Sequence, residues 1–527
     1  MAENFVLKGN ICYSQDSRTL ICVEQGYLVC ADGESAGVYK ELPQMYAGFP
    51  LTDYGDRLIV PGLTDLHLHA PQYSFRGLGM DLELLEWLNT RTFPEEAKYS
   101  DMEYAGKAYT IFAENMKHSA TTRACIFATM HREATELLMD LMEETGLKTM
   151  VGKVNMDRNS PDILVEETAE SLRETRQWLE DIKGRYRNTV PILTPRFIPT
   201  CSDTLMEELK KIQMEYDLPV QSHLSENKGE IDWVKELCPW SEFYGDAYDH
   251  FGMFGSGVKT IMAHCVWPPE KEIQRMRDNG VYVAHCPQSN TNLSSGIAPV
   301  RTYLEQGIPT GLGTDVAGGA GESVFRAMAD AIQVSKLRWR LVDETCKPLT
   351  AEEAFYLGTK GGGGFFGKAG SFEGFCSGGG IRRLAISYAR EQLARGHRVG
   401  YVNWSLCGPD TDEALLCNPD EEELLFRDVT AKSVAMAAGA GDPDAVEVYR
   451  ISGRYFGRGL AVLIDLLNPE VIVVGSIFAR SGKLLKETMY EEIKKEALPQ
   501  AAAVCRIEPA VLGERIGDYG SIMAAFE

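Results

Sequence analysis

Five of the nine histidines in this 527-residue chain stand where an apolar, β-branched run comes to its end. The first such run, Arg57 to His69, finishes on His67-Leu68-His69. Residues two apart in a strand point the same way, so His67 and His69 address one point in space. His223, His264 and His285 each close a later run of the same kind, and Asp315 closes the last, within Gly313-Thr314-Asp315-Val316. Groups at the ends of separate strands meet only where the strands circle back on themselves. A closed barrel does this, and its working groups collect at the carboxyl ends of its strands.

The rest of the pattern fits. Runs at Ala120 to Phe127, Thr149 to Asn155, Val190 to Phe197, Pro219 to His223, Thr260 to His264, Tyr282 to His285 and Thr310 to Asp315 read as strands. Amphipathic stretches such as Glu166 to Ile182 and Ser202 to Tyr216 read as helices between them. Strand and helix alternating eight times predict an α/β fold, a parallel (β/α)8 barrel of the TIM type. Periodicity alone also fits an open doubly wound sheet; the strand-end polar residues favour closure.

A chain this long exceeds one ordinary core. Residues 1–56 carry short β-rich pieces such as Asn10-Ile11-Cys12-Tyr13 and Tyr27-Leu28-Val29-Cys30, and form an N-terminal β segment. The barrel is expected over 57–375. Glycine clusters at Gly361 to Gly364 and at Gly378 to Gly380 mark its end, and 376–527 form a further unit.

Net charge is -23. An acidic surface repels phosphate backbones and anionic lipid, so nucleic acid and membranes are excluded as bulk partners. From Cys376 onward there are 17 basic and 22 acidic residues, so most of the acidity belongs to the preceding part. Thirteen cysteines without a Cys-x-x-Cys pair fit a reducing compartment. The amino terminus lacks a basic segment followed by an apolar one, and no apolar run is long enough to span a bilayer. The expectation is a soluble, cytoplasmic protein.

Imidazoles joined by a carboxylate suit zinc, or ferrous iron, with a position left for water. Such a metal lowers the pKa of its water from about 15.7 toward 7. One strand-end histidine is more often a satisfied core residue than a ligand, but five with a matching aspartate are not an accident of composition. His118, His131, His250 and His397 lack this placement. Glu226, three residues beyond His223, reads in isolation as a loop carboxylate. Just past a metal-binding strand end, it stands where a proton must be moved between water and a substrate nitrogen.

With these residues in hand, the chain resembles the amidohydrolase superfamily, and within it the guanine deaminases. The matching stretches include Pro61 to Ser74, Leu84-Leu85-Glu86-Trp87-Leu88, Thr92-Phe93-Pro94, Val151 to Asp157, Thr194-Pro195-Arg196-Phe197, Ala263-His264-Cys265, Ala284 to Asn290 and Gly311 to Gly319. The His-x-His pair and final aspartate belong to the whole superfamily; Gln72-Tyr73-Ser74, the Leu-Leu-Glu-Trp-Leu segment and the Thr-Pro-Arg-Phe strand narrow it. The resemblance implies one zinc ion on His67, His69, His223 and Asp315. It implies that His264 orients water, that Glu226 and Asp315 move protons, and that Gln72 and Arg196 read a purine. His285 falls in the same family pattern as a pocket residue without a defined role. The small-molecule purine is the expected partner, and a homodimer is compatible with the reading.

After Gly370-Ser371-Phe372-Glu373 the resemblance changes. Family members continue into strands that complete a small β-sandwich with the N-terminal segment; here that continuation is missing after Phe375, which leaves the segment incomplete. Residues 376–527 resemble the C-terminal half of ROK-type sugar kinases, through Ala445 to Tyr449 and Gly457 to Gly475, expected as helix, Asn-Pro turn and buried strand. This implies an actin-like (ribonuclease-H-like) α/β half domain. No Asp-x-Gly-Gly-Thr phosphate loop occurs in the chain, and Cys376, Cys407 and Cys417 lack the spacing of the family's zinc motif. A kinase needs both lobes to position its reactants, so the lobe is expected to be catalytically silent.

The leading reading is hydrolytic deamination of guanine to xanthine and ammonia. Two others stay open: an amidohydrolase acting on a pterin or adenosine-like ring, and a non-catalytic sugar- or nucleotide-binding regulatory fusion. A substrate panel separates the first; a DNA-binding helix pair, of which none precedes the lobe, would favour the second.

Overall fold

A computed structural model describes residues 4–31, 34–367, 378–394, 397–404, 425–426, 429–467, 469–474 and 477–509. Cys376, Cys407, Cys417, Asn468 and Gly475 fall outside these residues. The chain divides into two compact units, Met1–Phe366 and Gly367–Glu527.

The first unit opens with β1 (Phe5–Ser14), β2 (Leu20–Ala31), β3 (Glu34–Tyr39) and β4 (Leu51–Ile59), in the sheet order β3-β2-β1-β4. Val6 and Val29 are buried, but β4 is an edge strand and is exposed along almost all its length, Leu58 to 65%. Apolar residues on a bare edge are what remains when a sandwich face has no cover.

The barrel comes next: β5 (Leu63–His69), β6 (Thr121–Phe127), β7 (Lys148–Gly152) with β8 (Val154–Asn155), β9 (Thr189–Pro191) with β10 (Thr194–Pro195), β11 (Val220–Leu224), β12 (Thr260–His264), β13 (Tyr282–His285) and β14 (Thr310–Leu312). Parallel pairing runs β5-β6-β7-β9 and β11-β12-β13-β14, and β8 pairs with β10. Backbone bonds from Leu193 N–H to Pro219 and from Gln221 N–H to Leu193 join the halves on one side. On the other, Asp315 N–H donates to His67 (2.8 Å) and His69 N–H to Val316 (3.0 Å). The barrel is therefore closed, and the open-sheet alternative falls.

Four strands differ from expectation. The run Arg57 to His69 is split, Arg57–Ile59 lying in exposed β4 and the barrel strand starting at Leu63. The last strand ends at Leu312, and Asp315 stands in the turn beyond it with left-handed φ. The run Val190 to Phe197 is broken into β9 and β10, because Pro191 and Pro195 have no N–H to give a ladder. The run Thr149 to Asn155 breaks at Lys153, whose fully buried ammonium turns away to pair with Glu166 (3.0 Å).

Outside the strands lie helices with explicit start signals. Asp101 caps Met102–His118, Ser202 caps Asp203–Tyr216, and Asn227 with Glu230 forms a capping box on Lys228–Leu237. Their apolar faces pack on the outward strand residues, Phe112, Leu138, Trp178 and Leu209 among them, in one continuous core with Leu68, Ile126, Val151 and Val283. The glycines near 361 are part of this packing: a side chain on Gly311 would meet the Gly362 backbone at 2.6 Å, so helix and strand touch through bare main chain.

The second unit holds helices Gly378–Ala394, Ala431–Gly439, Pro443–Leu467, Ile477–Glu496 and Pro499–Val504, with β15 (Val471–Val474) parallel to β16 (Arg506–Pro509). A side chain on Gly457 would sit 2.3 Å from the Met489 carbonyl, so glycine allows the two long helices to pack closely. One expectation is corrected here. β15 is not buried: Val473 is 64% exposed, because among the described residues its sheet has only two strands and one face lacks cover.

Within the barrel, Arg301 forms a two-armed ion pair with Glu353 (2.6 Å on both arms) and also reaches the carbonyls of Lys347 and Pro348. Both side chains are at most 9% exposed. Arg301→Ala leaves a buried, unpaired carboxylate, so it is expected to destabilise the barrel by about 3–5 kcal/mol. Urea unfolding followed by intrinsic fluorescence reads this directly; a loss below about 1 kcal/mol would refute the assignment of a stabilising pair.

Candidate active site

The closing hydrogen bonds bring the first and last strands together, and with them His67, His69 and Asp315. The Nε2 atoms of His67 and His69 lie 3.2 and 3.5 Å from Asp315 Oδ1. His223, from the end of β11, places its Nε2 3.3 Å from that of His69. His264, from β12, stands 3.8 Å from Asp315 Oδ2 and 3.4 Å from Glu226 Oε2. Glu226 lies directly after β11, as the sequence predicts.

The backbone bends sharply here. Ser225, His264, Cys265 and Asp315 all have left-handed φ, between 47° and 71°. Non-glycine residues adopt this at a cost of about 1–3 kcal/mol, a strain that clusters at functional sites.

The donor set passes a test for a metal ion. Both ring nitrogens of His67 and Nδ1 of His69 are buried without a hydrogen-bond partner, which is costly unless something else satisfies them. His67, His69 and Asp315 offer ligand atoms within 4.8 Å of one another, and so do His67, His223 and His264. His223 donates from Nδ1 to the Arg196 carbonyl (2.7 Å), and His264 donates from Nδ1 to Asn290 Oδ1 (2.8 Å). Each bond fixes the tautomer that leaves an Nε2 lone pair facing the centre.

Burial lowers the pKa of His67, and those of His69 and His223 well below the usual value, which favours the uncharged ring that a metal ion would need. Burial would raise Asp315, but its interactions with the neighbouring rings, first His67, which also hydrogen-bonds it, then His264 and His69, outweigh burial and hold the carboxyl far below the ordinary range. Glu226 goes the other way. Burial, then the Asp315 charge, pushes it up to about 8, so it can take up and release a proton near neutrality. Ser295 Oγ donates to its Oε1 at 2.9 Å.

Over this centre lies a cavity of about 390 Å³, open solvent included, lined by Gln72, Trp87, Leu88, Arg196, Phe197 and Glu226 among others. Gln72 and Arg196, both bonded to Glu96, line this cavity together with Trp87 and Phe197. His285 is buried at the end of β13 and is not among the lining side chains; burial lowers it to about 3, so the ring is neutral.

Four contributors escaped the sequence reading. Glu96 is buried between Gln72 and Arg196. Glu230 lines the cavity and accepts the Glu226 and Asn227 N–H groups. Asn290 and Ser295 hold His264 and Glu226. In sequence, Glu96 reads as an ordinary acid in a first helical turn after Pro94, and Glu230 as a capping-box residue, which it also is. Nothing local distinguishes these roles.

Residues 58–373 match the amidohydrolase family, and the chain belongs to it. Guanine deaminases are among its relatives. It is 43% identical over 311 residues to that of Dictyostelium discoideum, covering 59% of this chain and 68% of the relative. It is 41% identical over 321 residues to that of Homo sapiens, covering 60% and 70%. A crystal structure of guanine deaminase from C. acetobutylicum, with guanine bound in its active site, superposes with a TM-score of 0.68 at 44% identity, covering 69% of this chain and 87% of that one. Residues 355–526 match the ROK family, so the two matches overlap over 355–373, the glycine-rich segment.

Behind the site, Glu272 accepts Ser225 Oγ–H and Gly245 N–H, each at 2.7 Å. Burial raises it from 4.5 to about 7. The folded chain thus keeps a proton that the unfolded chain releases in this window, so Glu272 lowers stability as pH rises from about 4.5 to 7. Glu272→Gln keeps the protonated shape and is expected to show a shallower decline. Thermal midpoints of both proteins across that window check it, and parallel curves would count against a buried neutral Glu272.

Proposed function

We propose that the barrel hydrolyses guanine to xanthine and ammonia. The observation that carries this reading is the convergence of Gln72 and Arg196 on a cavity also lined by His69, His223, His264 and Asp315, with His67 buried against them. An amide and a guanidinium suit a purine edge, and flat apolar walls suit its faces. A ring that fails to pair with buried polar readers is rejected strongly.

His67, His69, His223 and Asp315 would hold one zinc ion, with ferrous iron the other metal this donor set accepts. When bound, the metal supplies Lewis-acid activation of water at neutral pH. Glu226 takes a proton from the attacking water and passes it to a ring nitrogen. Asp315 shares the proton traffic toward the departing amine. His264, oriented by Asn290, directs its Nε2 lone pair at the water and steadies the oxygen as the carbon becomes tetrahedral. His285, kept neutral by burial, is assigned no proton-transfer step. Thirteen cysteines without a Cys-x-x-Cys pair suit a reducing compartment, and no helix among the described residues is long and apolar enough to cross a membrane. A reducing cytoplasm is the compartment we favour.

Chelation should abolish deamination and zinc should restore it. Glu226→Gln should keep its metal and lose about 10² to 10⁴ in kcat. Arg196→Ala should depress guanine turnover much more than metal content. The assay follows guanine against pterins and adenine compounds by absorbance, with metal measured by emission spectroscopy. Preference for a pterin or adenosine-like ring would move the assignment to another deaminase of the same chemistry, and full activity in Glu226→Gln would remove that residue from the mechanism.

For the ROK-like lobe we propose no phosphoryl transfer. Positioning of nucleotide, metal and hydroxyl supplies most of the rate in such reactions, and the phosphate-loop sequence is missing from all 527 residues. Purified protein with ATP, magnesium and hexoses should release no sugar-dependent ADP; release that disappears on deletion of 457–475 would overturn this.

A further inference from the structure

Gln72 could in principle show a substrate either its carbonyl or its amino group. Glu96 removes the choice. Its carboxylate, 2% exposed, accepts from Gln72 Nε2 at 2.8 Å and from the two terminal nitrogens of Arg196 at 2.6 and 3.2 Å. An ionised carboxylate only accepts, so the Gln72 amino group must face it. The Gln72 carbonyl oxygen is then turned away, buried and without a hydrogen-bond partner, on a side chain that lines the cavity. Leaving such an oxygen unmatched costs about 1–3 kcal/mol. Arg196 uses two of its five N–H groups on Glu96, and everything else it can present is a donor.

We propose that Glu96 is a positioning residue that sets the hydrogen-bond polarity of the substrate wall, one acceptor from Gln72 beside donors from Arg196. The wall then selects a ring that offers one N–H next to carbonyl or ring-nitrogen acceptors. A charged buried partner does this better than a neutral one, because an amide at position 96 could itself rotate and let Gln72 rotate with it. The carboxylate also balances the buried guanidinium, which would otherwise be costly to hold in place. This inference rests on the guanine deaminase reading for the identity of the ring, though not for the polarity of the wall.

The test is a comparison of wild type and Glu96→Gln on guanine and its singly N-methylated isomers. In wild type, methylation at the nitrogen read by Gln72 should abolish turnover, while methylation elsewhere is tolerated better. In Glu96→Gln, KM for guanine should rise by about tenfold to a hundredfold, as expected for losing a charged hydrogen-bond partner. The kcat should change less, bound zinc should stay at the wild-type level, and the discrimination between isomers should shrink. A merely structural role would lower stability and activity together without changing the ratio between isomers. Should the neutral variant fail to fold, Glu96→Asp keeps the charge but shortens the reach, and it too should lose discrimination with zinc retained. Unchanged KM and unchanged isomer ratios in a zinc-loaded variant would overturn the proposal. If wild type ignores guanine and prefers another aminated ring, the substrate reading fails, and the same variants on that ring's N-methyl series still decide the role of Glu96.

Discussion

One backbone hydrogen bond organises this barrel: Asp315 N–H to the His67 carbonyl, at 2.8 Å. It joins the eighth strand to the first, and it sets a carboxylate beside two imidazoles from the opposite end of the barrel sequence. With the bond from His69 N–H to Val316, it makes closure of the fold and assembly of the site one event. Thr314 reinforces the seam from the side: its N–H and hydroxyl both donate to the fully buried Asp65. The helix Gly362–Phe366 packs on both strands of this seam, its Gly362 against Thr64 of β5 and Gly311 of β14.

Around the seam, like charges and burial divide the labour among acids. Asp315 is surrounded by imidazoles and stays ionised; Glu226, close by, meets the Asp315 charge in a dry setting and rises to about 8. Two neighbouring carboxyls are thus driven in opposite directions by their surroundings. Glu230 and Glu272, both raised to about 7 by burial, brace the loop carrying Glu226 and the backbone behind it.

The two units are unequal. In the barrel unit, the N-terminal sheet leaves β4 exposed along its edge. The C-terminal unit has a helical core, Tyr449, Phe456, Phe478 and Met489 among its members, but a sheet of two described strands with Val473 facing outward. The two family matches overlap over 355–373, so the glycine-rich segment is where one resemblance gives way to the other.

The barrel and its strand-end imidazoles are legible without coordinates, because β-branched runs, helical periodicity and the placement of histidines are local facts. Glu226, three residues from a strand end, is legible for the same reason. Periodicity does not separate an open sheet from a closed one, and it misjudges β15 as buried, because burial depends on neighbours that a strand's own residues do not name. Glu96 shows the limit most clearly. It lies 24 residues from Gln72 and 100 from Arg196, and nothing in its own neighbourhood departs from an acid in a first helical turn. Only the folded chain, by burying it against an amide and a guanidinium, turns an ordinary surface-type residue into the group that decides which way its neighbours point.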